Sequence, residues 1–155
     1  MIYDMFRKNG RMHRCGSPAS LFYRENGTIW SERYYINGDI HREDGPAHIV
    51  YHDNSSLVES ELYYLNGRLH REVGPAYIKY YRNGNIMQED YYIAGNRHRR
   101  GGPAHICYRK NGKIKEKLYI LNDIIHRKVG PAYVKYNTQG SIVAKEYYIS
   151  GNKIK

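Results

Sequence analysis

The sequence is poor in cysteine and in long apolar stretches, and both shortages limit what the protein can be. Its 155 residues include only two cysteines, Cys15 and Cys107. No stretch approaches the ~20 apolar residues of a membrane-spanning helix, and residues 1–8 contain no apolar run typical of a signal peptide. We therefore expect a cytoplasmic protein of a reducing compartment, neither secreted nor inserted in a membrane.

Phenylalanine and tryptophan are almost absent, whereas tyrosine is abundant. The chain has two Phe, one Trp and eighteen Tyr. Tyrosine, isoleucine and valine favour strands, while glycine and asparagine favour turns. The composition therefore predicts an all-β protein.

Proline is also scarce, and every copy belongs to one recurring phrase. The prolines are Pro18, Pro46, Pro75, Pro103 and Pro131, separated by 28, 29, 28 and 28 residues. Five residues before each proline stands a histidine followed by an arginine; these histidines are His13, His41, His70, His98 and His126. Chance does not keep residue types in phase five times, so the sequence predicts a tandem repeat and a single repeat domain over residues 1–155.

Two long strands are predicted in each repeat. In the third repeat, apolar and polar residues alternate over positions 76–82, as in a strand. Asn83-Gly84 then predicts a hairpin turn in which both positions take positive φ, and the returning strand covers Ile86–Ile93. In the second repeat, Asn54-Ser55-Ser56 adds one residue at the turn tip, which leaves the strand register intact.

The His-Arg phrase is predicted to be a connecting arm, because three long antiparallel strands per unit would reverse the direction of successive repeats. Counting a partial copy at residues 2–8, we expect about eleven strands. The predicted fold is an elongated, single-layer antiparallel β-meander or solenoid of about five 28-residue repeats. At ~10 Å of advance per two strands, Cys15 and Cys107 would lie ~30 Å apart, too far for a disulfide.

The recurring phrase resembles a known repeat family. Its second copy reads Tyr35-Ile36-Asn37-Gly38, followed by His41-Arg42-Glu43-Asp44-Gly45-Pro46-Ala47. The first element resembles variant MORN repeats (membrane occupation and recognition nexus), and the whole phrase is similar to repeats encoded by giant viruses and phages. It departs from the standard MORN pattern, which is shorter, has a Gly-x-Gly element and lacks Gly-Pro-Ala. The resemblance implies a viral scaffold or partner-binding protein without catalytic chemistry, located in the host cytoplasm or the virion.

The repeated polar residues favour structural roles. The five phrase histidines should lie about 10 Å apart, too far for one metal ion, so we expect their ring nitrogens to bond backbone or turn groups, with no metal site. The five arginines that follow them form either a solvated column paired with carboxylates or a phosphate-facing stripe. Glu32, Glu61 and Glu89 form one column at repeat spacing, so they cannot act as a paired acid and base. We predict no catalytic residues and no cofactor.

Differences between the copies are where a specific function is expected. Residues 97–117 carry eight basic residues against Glu116, a net charge of +7, whereas residues 39–61 carry six acidic residues against Arg42, a net charge of −5. The predicted partner-binding residues of the basic segment are Arg97, Arg99, Arg100, Arg109, Lys110, Lys113 and Lys115. Trp30 is the other singular residue, and it serves either local packing or partner binding.

We therefore predict a non-enzymatic scaffold or protein–protein interaction module with an acidic protein as its partner, and a homodimer formed through a sheet edge or an aromatic face. The alternative is a binder of anionic ligands. The net charge of +10 would suit nucleic acid or an acidic phospholipid surface.

Overall fold

Eleven strands form one continuous antiparallel sheet in the computed structural model, which describes residues 2–154. Each strand pairs with the next long strand along the chain, so the sheet is a meander. The strands, numbered in chain order with the short hairpins included, are β1 (Ile2–Met5), β4 (Ser20–Tyr23), β5 (Ile29–Arg33), β8 (His48–Tyr51), β9 (Val58–Leu62), β12 (Tyr77–Tyr80), β13 (Ile86–Asp90), β16 (His105–Tyr108), β17 (Ile114–Leu118), β20 (Tyr133–Tyr136) and β21 (Ile142–Glu146). The predicted all-β single-layer meander is confirmed.

A short two-stranded hairpin follows every second long strand, and the six hairpins of residues 2–154 lie at one end of the sheet. They are β2–β3 (Arg7–Lys8, Arg11–Met12), β6–β7 (Tyr35–Ile36, Asp39–Ile40), β10–β11 (Tyr64–Leu65, Arg68–Leu69), β14–β15 (Tyr92–Ile93, Asn96–Arg97), β18–β19 (Ile120–Leu121, Ile124–Ile125) and β22–β23 (Tyr148–Ile149, Asn152–Lys153). Residues 2–154 contain no helix, and so no helix that could cross a membrane.

The returning strand is shorter than predicted. The sequence predicts one strand over Ile86–Ile93, but pairing in the main sheet stops at Asp90 and resumes in the short hairpin at Tyr92. At the break, Tyr91 donates its backbone N–H to Ala104 O and its own carbonyl accepts from His98 N. Tyr91 therefore bonds to the main sheet on one side and to the arm on the other.

The turn geometry predicted for the first turn of each repeat is wrong there, and it occurs instead in the second turn. At Asn83-Gly84 only the glycine has positive φ, +83°, while Asn83 Oδ1 accepts the backbone N–H of Asn85. This turn therefore has one left-handed residue, with a β-bulge in the strand after it. The short hairpins do use the two-residue form: φ is +52° at Asn37 and +99° at Gly38.

The second repeat keeps its register despite its extra turn residue. Tyr51 pairs with Val58 and Val50 with Ser60, as the equivalent residues do in the other repeats. The insertion is confined to the tip, as predicted.

Alternating side chains give the sheet two different faces. The isoleucine face carries Ile49, Ile78, Ile106 and Val134, and Val134 is only 2% exposed. The cysteine face carries Cys107 and the residues aligned with it across the strands. At the start of each repeat an alanine is fully buried: Ala19, Ala47, Ala76, Ala104 and Ala132.

The isoleucine face also holds the predicted glutamate column. Glu61 and Glu89 lie on either side of Ile78, and each accepts a hydrogen bond from a tyrosine hydroxyl of the following repeat. Tyr80 Oη donates to Glu61 at 2.9 Å and Tyr108 Oη to Glu89 at 2.7 Å. These carboxylates link neighbouring repeats.

Candidate functional site

The phrase histidines and arginines hold each arm in place. In the third repeat, His70 Nδ1 accepts the backbone N–H of Ala94 in the next hairpin at 3.0 Å. The equivalent bond occurs in the other four copies, from Asn37 to His13, Asn66 to His41, Asn122 to His98 and Ser150 to His126. The predicted bonding to turn groups therefore agrees with the structure, and it uses one ring nitrogen of each histidine.

The phrase arginines stack on aromatic rings, a contact that the sequence did not predict. Arg71 lies over the ring of Tyr63, with 3.8 Å between its Cζ and the ring centroid, and Nη1 donates to Pro75 O at 3.2 Å. The same two contacts recur for Arg14, Arg42, Arg99 and Arg127, with Phe6 replacing tyrosine in the first copy. Of the five, Arg42 alone also bonds a carboxylate within residues 2–154, that of Asp44. The column is packed against aromatic rings.

Three of the seven predicted partner-binding residues are engaged within the protein. Arg99 stacks on Tyr91 at 3.7 Å, Arg109 Nη2 donates to Tyr136 O at 2.7 Å, and Arg97 contacts a buried carboxylate described below. The other four, Arg100, Lys110, Lys113 and Lys115, are exposed, and their side chains have no polar partner among residues 2–154.

The free basic residues divide between the two ends of the sheet. Arg100 lies in the arm that precedes β16, whereas Lys110, Lys113 and Lys115 lie at the other end of β16, in the turn and at the start of β17. The last three form what we call the lysine turn. Its backbone is fixed by the neighbouring turn, because Asn85 Nδ2 donates to Lys110 O at 2.7 Å and Asn83 Nδ2 to the same oxygen at 3.2 Å.

The glutamate column changes sign beside the lysine turn. Lys117 occupies the position of Glu89 and Glu61, next to Ile106, and lies 5.4 Å from the ring centroid of Tyr136. Lys145 holds the same position in the last strand and is exposed. The last two repeats therefore add positive charge where the earlier repeats carry carboxylates.

Trp30 serves local packing, one of the two roles considered for it. It is the extra residue of a bulge in β5, and its ring lies 5.6 Å from that of Phe22, measured between centroids. Phe22 in turn lies 6.4 Å from Tyr3 on the edge strand. The three rings cover the first strands of the sheet.

A separate polar cluster lies on the cysteine face, where β13, β16 and β17 meet. The register places Asp90 opposite His105, and Cys107 opposite Glu116. Since His105 and Cys107 are two residues apart in one strand, they project from the same face. All four side chains therefore converge on three adjacent strands.

Asp90 is the anchor of this cluster and is only 1% exposed. Its Oδ1 lies 2.7 Å from His105 Nδ1, and its Oδ2 accepts from Gln88 Nε2 at 2.6 Å. Arg97 Nε lies 3.1 Å from Oδ1, close enough for charge attraction but not aligned for a hydrogen bond. These three neighbours hold the buried carboxylate in place.

His48 occupies the position of His105 two repeats earlier, and comparison of the two shows how the cluster changes the pKa of a histidine. The hydrogen bond to Asp90, and then the contact with Cys107, raises the pKa of His105 to about 9. Burial, with the nearby charge of Arg33, lowers the pKa of His48 to about 4. Arg33 stands opposite His48 where Asp90 stands opposite His105, and Val50 takes the place of Cys107, so the partners that raise the pKa of His105 are missing around His48 and burial lowers its pKa.

The other nitrogen of His105 points to the thiol. His105 Nε2 lies 3.3 Å from Cys107 Sγ. One ligand atom each from His105, Cys107 and Glu116 lie within 4.8 Å of one another, a spacing at which a single metal ion could contact all three. The carboxylate of Glu116 also accepts a hydrogen bond from Tyr133 on the next strand, whose hydroxyl donates to Oε2 at 3.3 Å.

Sequence reasoning missed this cluster because it considered Cys107 only as a disulfide partner. The signal was available in the alignment of the repeats. The positions of Asp90, His105, Cys107 and Glu116 are filled around β8 by Arg33, His48, Val50 and Ser60, around β12 by Leu62, Tyr77, Lys79 and Gln88, and around β20 by Leu118, Tyr133, Lys135 and Ala144. Of these sets, the one around β16 alone combines thiol, imidazole and two carboxylates.

Comparisons of the chain with protein families, with curated proteins and with solved structures found no match.

Proposed function

We propose that this protein is a non-enzymatic repeat scaffold that binds an acidic protein partner through the lysine turn. The residues shared by all repeats support this proposal, because they are used in internal contacts. The phrase arginines stack on rings, the phrase histidines bond the next hairpin, and Glu61 and Glu89 bond tyrosine hydroxyls. Binding specificity is left to residues that differ between copies.

The observation that carries the proposal is the set of free cations on a fixed turn. Lys110, Lys113 and Lys115 are exposed and lack polar partners among residues 2–154, while the backbone that holds them is bonded to the preceding turn. Positive charge in such a position raises the association rate with an acidic surface and selects against basic ones. Fixing the backbone in advance lowers the ordering cost of binding.

The tyrosines favour a protein partner over a nucleic acid. Base stacking needs an open aromatic face near the positive charge. Tyr91 and Tyr119 are each covered on one face by an arginine, and Tyr108 is held by its hydroxyl to Glu89. Tyrosine is therefore used mainly within the array.

The proposal extends to the family and the setting of the protein. The Tyr-x-Asn-Gly and His-Arg-x-x-Gly-Pro-Ala elements support a MORN-like repeat protein of a large DNA virus, acting in the host cytoplasm or the virion as a homodimer. Cys15 and Cys107, which are both free thiols, suit a reducing compartment.

Fluorescence anisotropy with three probes tests the proposed partner chemistry: a glutamate-rich peptide, a single-stranded DNA of equal charge, and vesicles containing phosphatidylserine. At physiological salt we expect the peptide to bind best. The triple variant Lys110→Glu, Lys113→Glu, Lys115→Glu should weaken peptide binding by about tenfold or more, since each reversal replaces attraction by repulsion.

The matched control is Lys8→Glu, Arg11→Glu, Arg68→Glu, which changes the net charge equally at exposed positions of the hairpins. It should alter peptide affinity by less than about twofold. An equal loss in both variants would reduce the effect to net charge and contradict the lysine turn. Tighter binding of DNA or vesicles than of peptide would favour the anionic-ligand alternative instead.

A further inference from the structure

The cluster on the cysteine face contains three side chains that could bind one transition-metal ion. His105 and Cys107 lie on one face of β16, and Glu116 stands directly opposite Cys107 on β17. Because all three come from paired strands, their positions are fixed by the sheet. Sites built on rigid elements hold ligand geometry better than sites on loops.

The distances fit zinc with little adjustment. Zinc binds thiolate at about 2.3 Å and imidazole at about 2.0–2.1 Å in tetrahedral geometry, which places the two donor atoms about 3.5 Å apart. The separation of Cys107 Sγ from His105 Nε2 is 3.3 Å, and the three ligand atoms lie within 4.8 Å of one another. Rotation of the Glu116 side chain would bring its carboxylate onto the ion.

Asp90 orients the imidazole for this role. Its Oδ1 lies 2.7 Å from His105 Nδ1, so the N–H at Nδ1 points to the carboxylate, and Nε2, which faces Cys107, is left to bind the ion with release of its proton. Histidine ligands of metals commonly donate their second ring N–H to a carboxylate in this way. Asp90 is 1% exposed and also held by Gln88, so it is a fixed support for the ring.

The choice of metal follows from the donor atoms. Thiolate, imidazole and carboxylate together suit Zn²⁺, whereas Mg²⁺ and Ca²⁺ require oxygen ligands. The two negative ligands would neutralise the ion. Three protein ligands leave a fourth coordination position, which is the arrangement of zinc sites that bind water or an exogenous ligand.

We propose that His105 Nε2, Cys107 Sγ and Glu116 bind one Zn²⁺ ion, with Asp90 as the positioning residue and the fourth coordination position open. This site is independent of the lysine turn, and it is a property of the fourth repeat alone. The equivalent positions of the third repeat hold Tyr77, Lys79 and Gln88, which cannot provide this set.

Titration of the full chain with Co²⁺ tests the site, because thiolate-bound Co²⁺ absorbs in the near ultraviolet through charge transfer. We expect one Co²⁺ per chain and loss of the band when Zn²⁺ is added. Cys107→Ser should abolish the band, and His105→Tyr should weaken binding by about 100-fold or more. Tyrosine is the residue of the third and fifth repeats at this position, so the sheet accommodates it.

Cys15→Ser is the matched control. Cys15 Sγ also lies near a histidine ring, 3.5 Å from His13 Nε2, but it is exposed and has no third ligand among residues 2–154. This variant should bind Co²⁺ as the wild type does. A band that survives Cys107→Ser, or disappears in Cys15→Ser, would overturn the proposed ligands.

The paired change Asp90→Leu with Arg97→Leu tests the positioning role. It reproduces Leu62 and Leu69, the equivalent pair of the second repeat, so the fold should be retained and circular dichroism can verify this. We expect the charge-transfer band to persist while the affinity for Zn²⁺ falls by about 10- to 100-fold. Unchanged affinity would contradict the role of Asp90, and absence of one-to-one binding in the wild type would overturn the site.

Discussion

At the scale of the residue, the repeat shows how burial and neighbouring groups determine the chemistry of a side chain. His48 and His105 occupy the same position of the same strand type, and their pKa values shift in opposite directions. On the β5 side His48 faces Arg33, and on the β9 side it faces Leu62, which has no charge. Ser31 Oγ and Arg33 Nε both approach His48 Nε2, at 3.0 and 3.4 Å.

One contribution to the pH dependence of stability comes from the lowered pKa of His48. The unfolded chain protonates this histidine near pH 6.5, whereas the folded chain does so only near a pKa of about 4. The unfolded state therefore binds more protons in this window, and stability is lost as the pH falls from about 6.5 through about 4. Allowing for partial exposure, we expect His48 to account for about 1–2 kcal/mol of this loss.

Urea unfolding at pH 7.5 and 4.5 measures this contribution. In His48→Tyr, which introduces the residue found at Tyr77 and Tyr133, the drop in the free energy of unfolding should be smaller than in the wild type by that amount. The same drop in both proteins would show that His48 does not contribute.

At the scale of the element, the arm depends on its arginine. The guanidinium of Arg99 contacts the ring of Tyr91 and the carbonyl of Pro103, and a Cβ on Gly102 would lie 3.0 Å from its Cζ. This explains why glycine stands three residues after four of the five phrase arginines, Ser17 taking its place after Arg14. We call this arrangement of arginine, aromatic ring and proline carbonyl the hook. Glycine leaves room in it for the guanidinium.

Comparison of Arg99→Ala with Arg100→Ala measures the strength of this hook. The neighbours carry the same charge, but Arg100 is exposed without a polar partner in the described chain. We expect Arg99→Ala to lower the free energy of unfolding by about 2 kcal/mol, from the lost ring contact and charged hydrogen bond. Arg100→Ala should cost less than about 0.5 kcal/mol, and similar values for both would contradict the hook.

The strands and turns of the repeat can be predicted from the sequence, whereas most side-chain contacts between them cannot. Alternation over residues 76–82 and the regular spacing of Pro18 to Pro131 predict the strands, because period-two patterns and turn residues act locally. The stacking of Arg71 on Tyr63 joins residues eight apart through the hairpin between them, so no local pattern reveals it. The cluster at Cys107 depends on the register of three strands, which only the alignment of repeats could have suggested.

At the scale of the whole molecule, the meander leaves two open edges. The outer sides of β1 and β21 have no strand partner within residues 2–154. Apolar residues lie at both edges: Tyr3 is 55% exposed, Ile142 47% and Val143 57%. An unpaired apolar edge is a template for another strand.

We expect β21 to mediate the proposed homodimer, which size-exclusion chromatography with light scattering can measure. The variant Ile142→Lys, Val143→Lys should be monomeric, because it places like charges at the paired edge. As a control, Val73→Lys with Val129→Lys alters two apolar residues of the arms, 85% and 80% exposed, and should remain dimeric. A wild-type monomer at high concentration would contradict the dimer.

The number of long strands has a consequence for how such copies can meet. Eleven is odd, and every neighbouring pair is antiparallel, so the first and last strands point the same way. Stacking copies head to tail by simple translation would set two parallel strands side by side and break the alternation. A two-fold axis normal to the sheet at one border continues the alternation and keeps each face continuous, and such a contact is isologous, joining like edge to like edge.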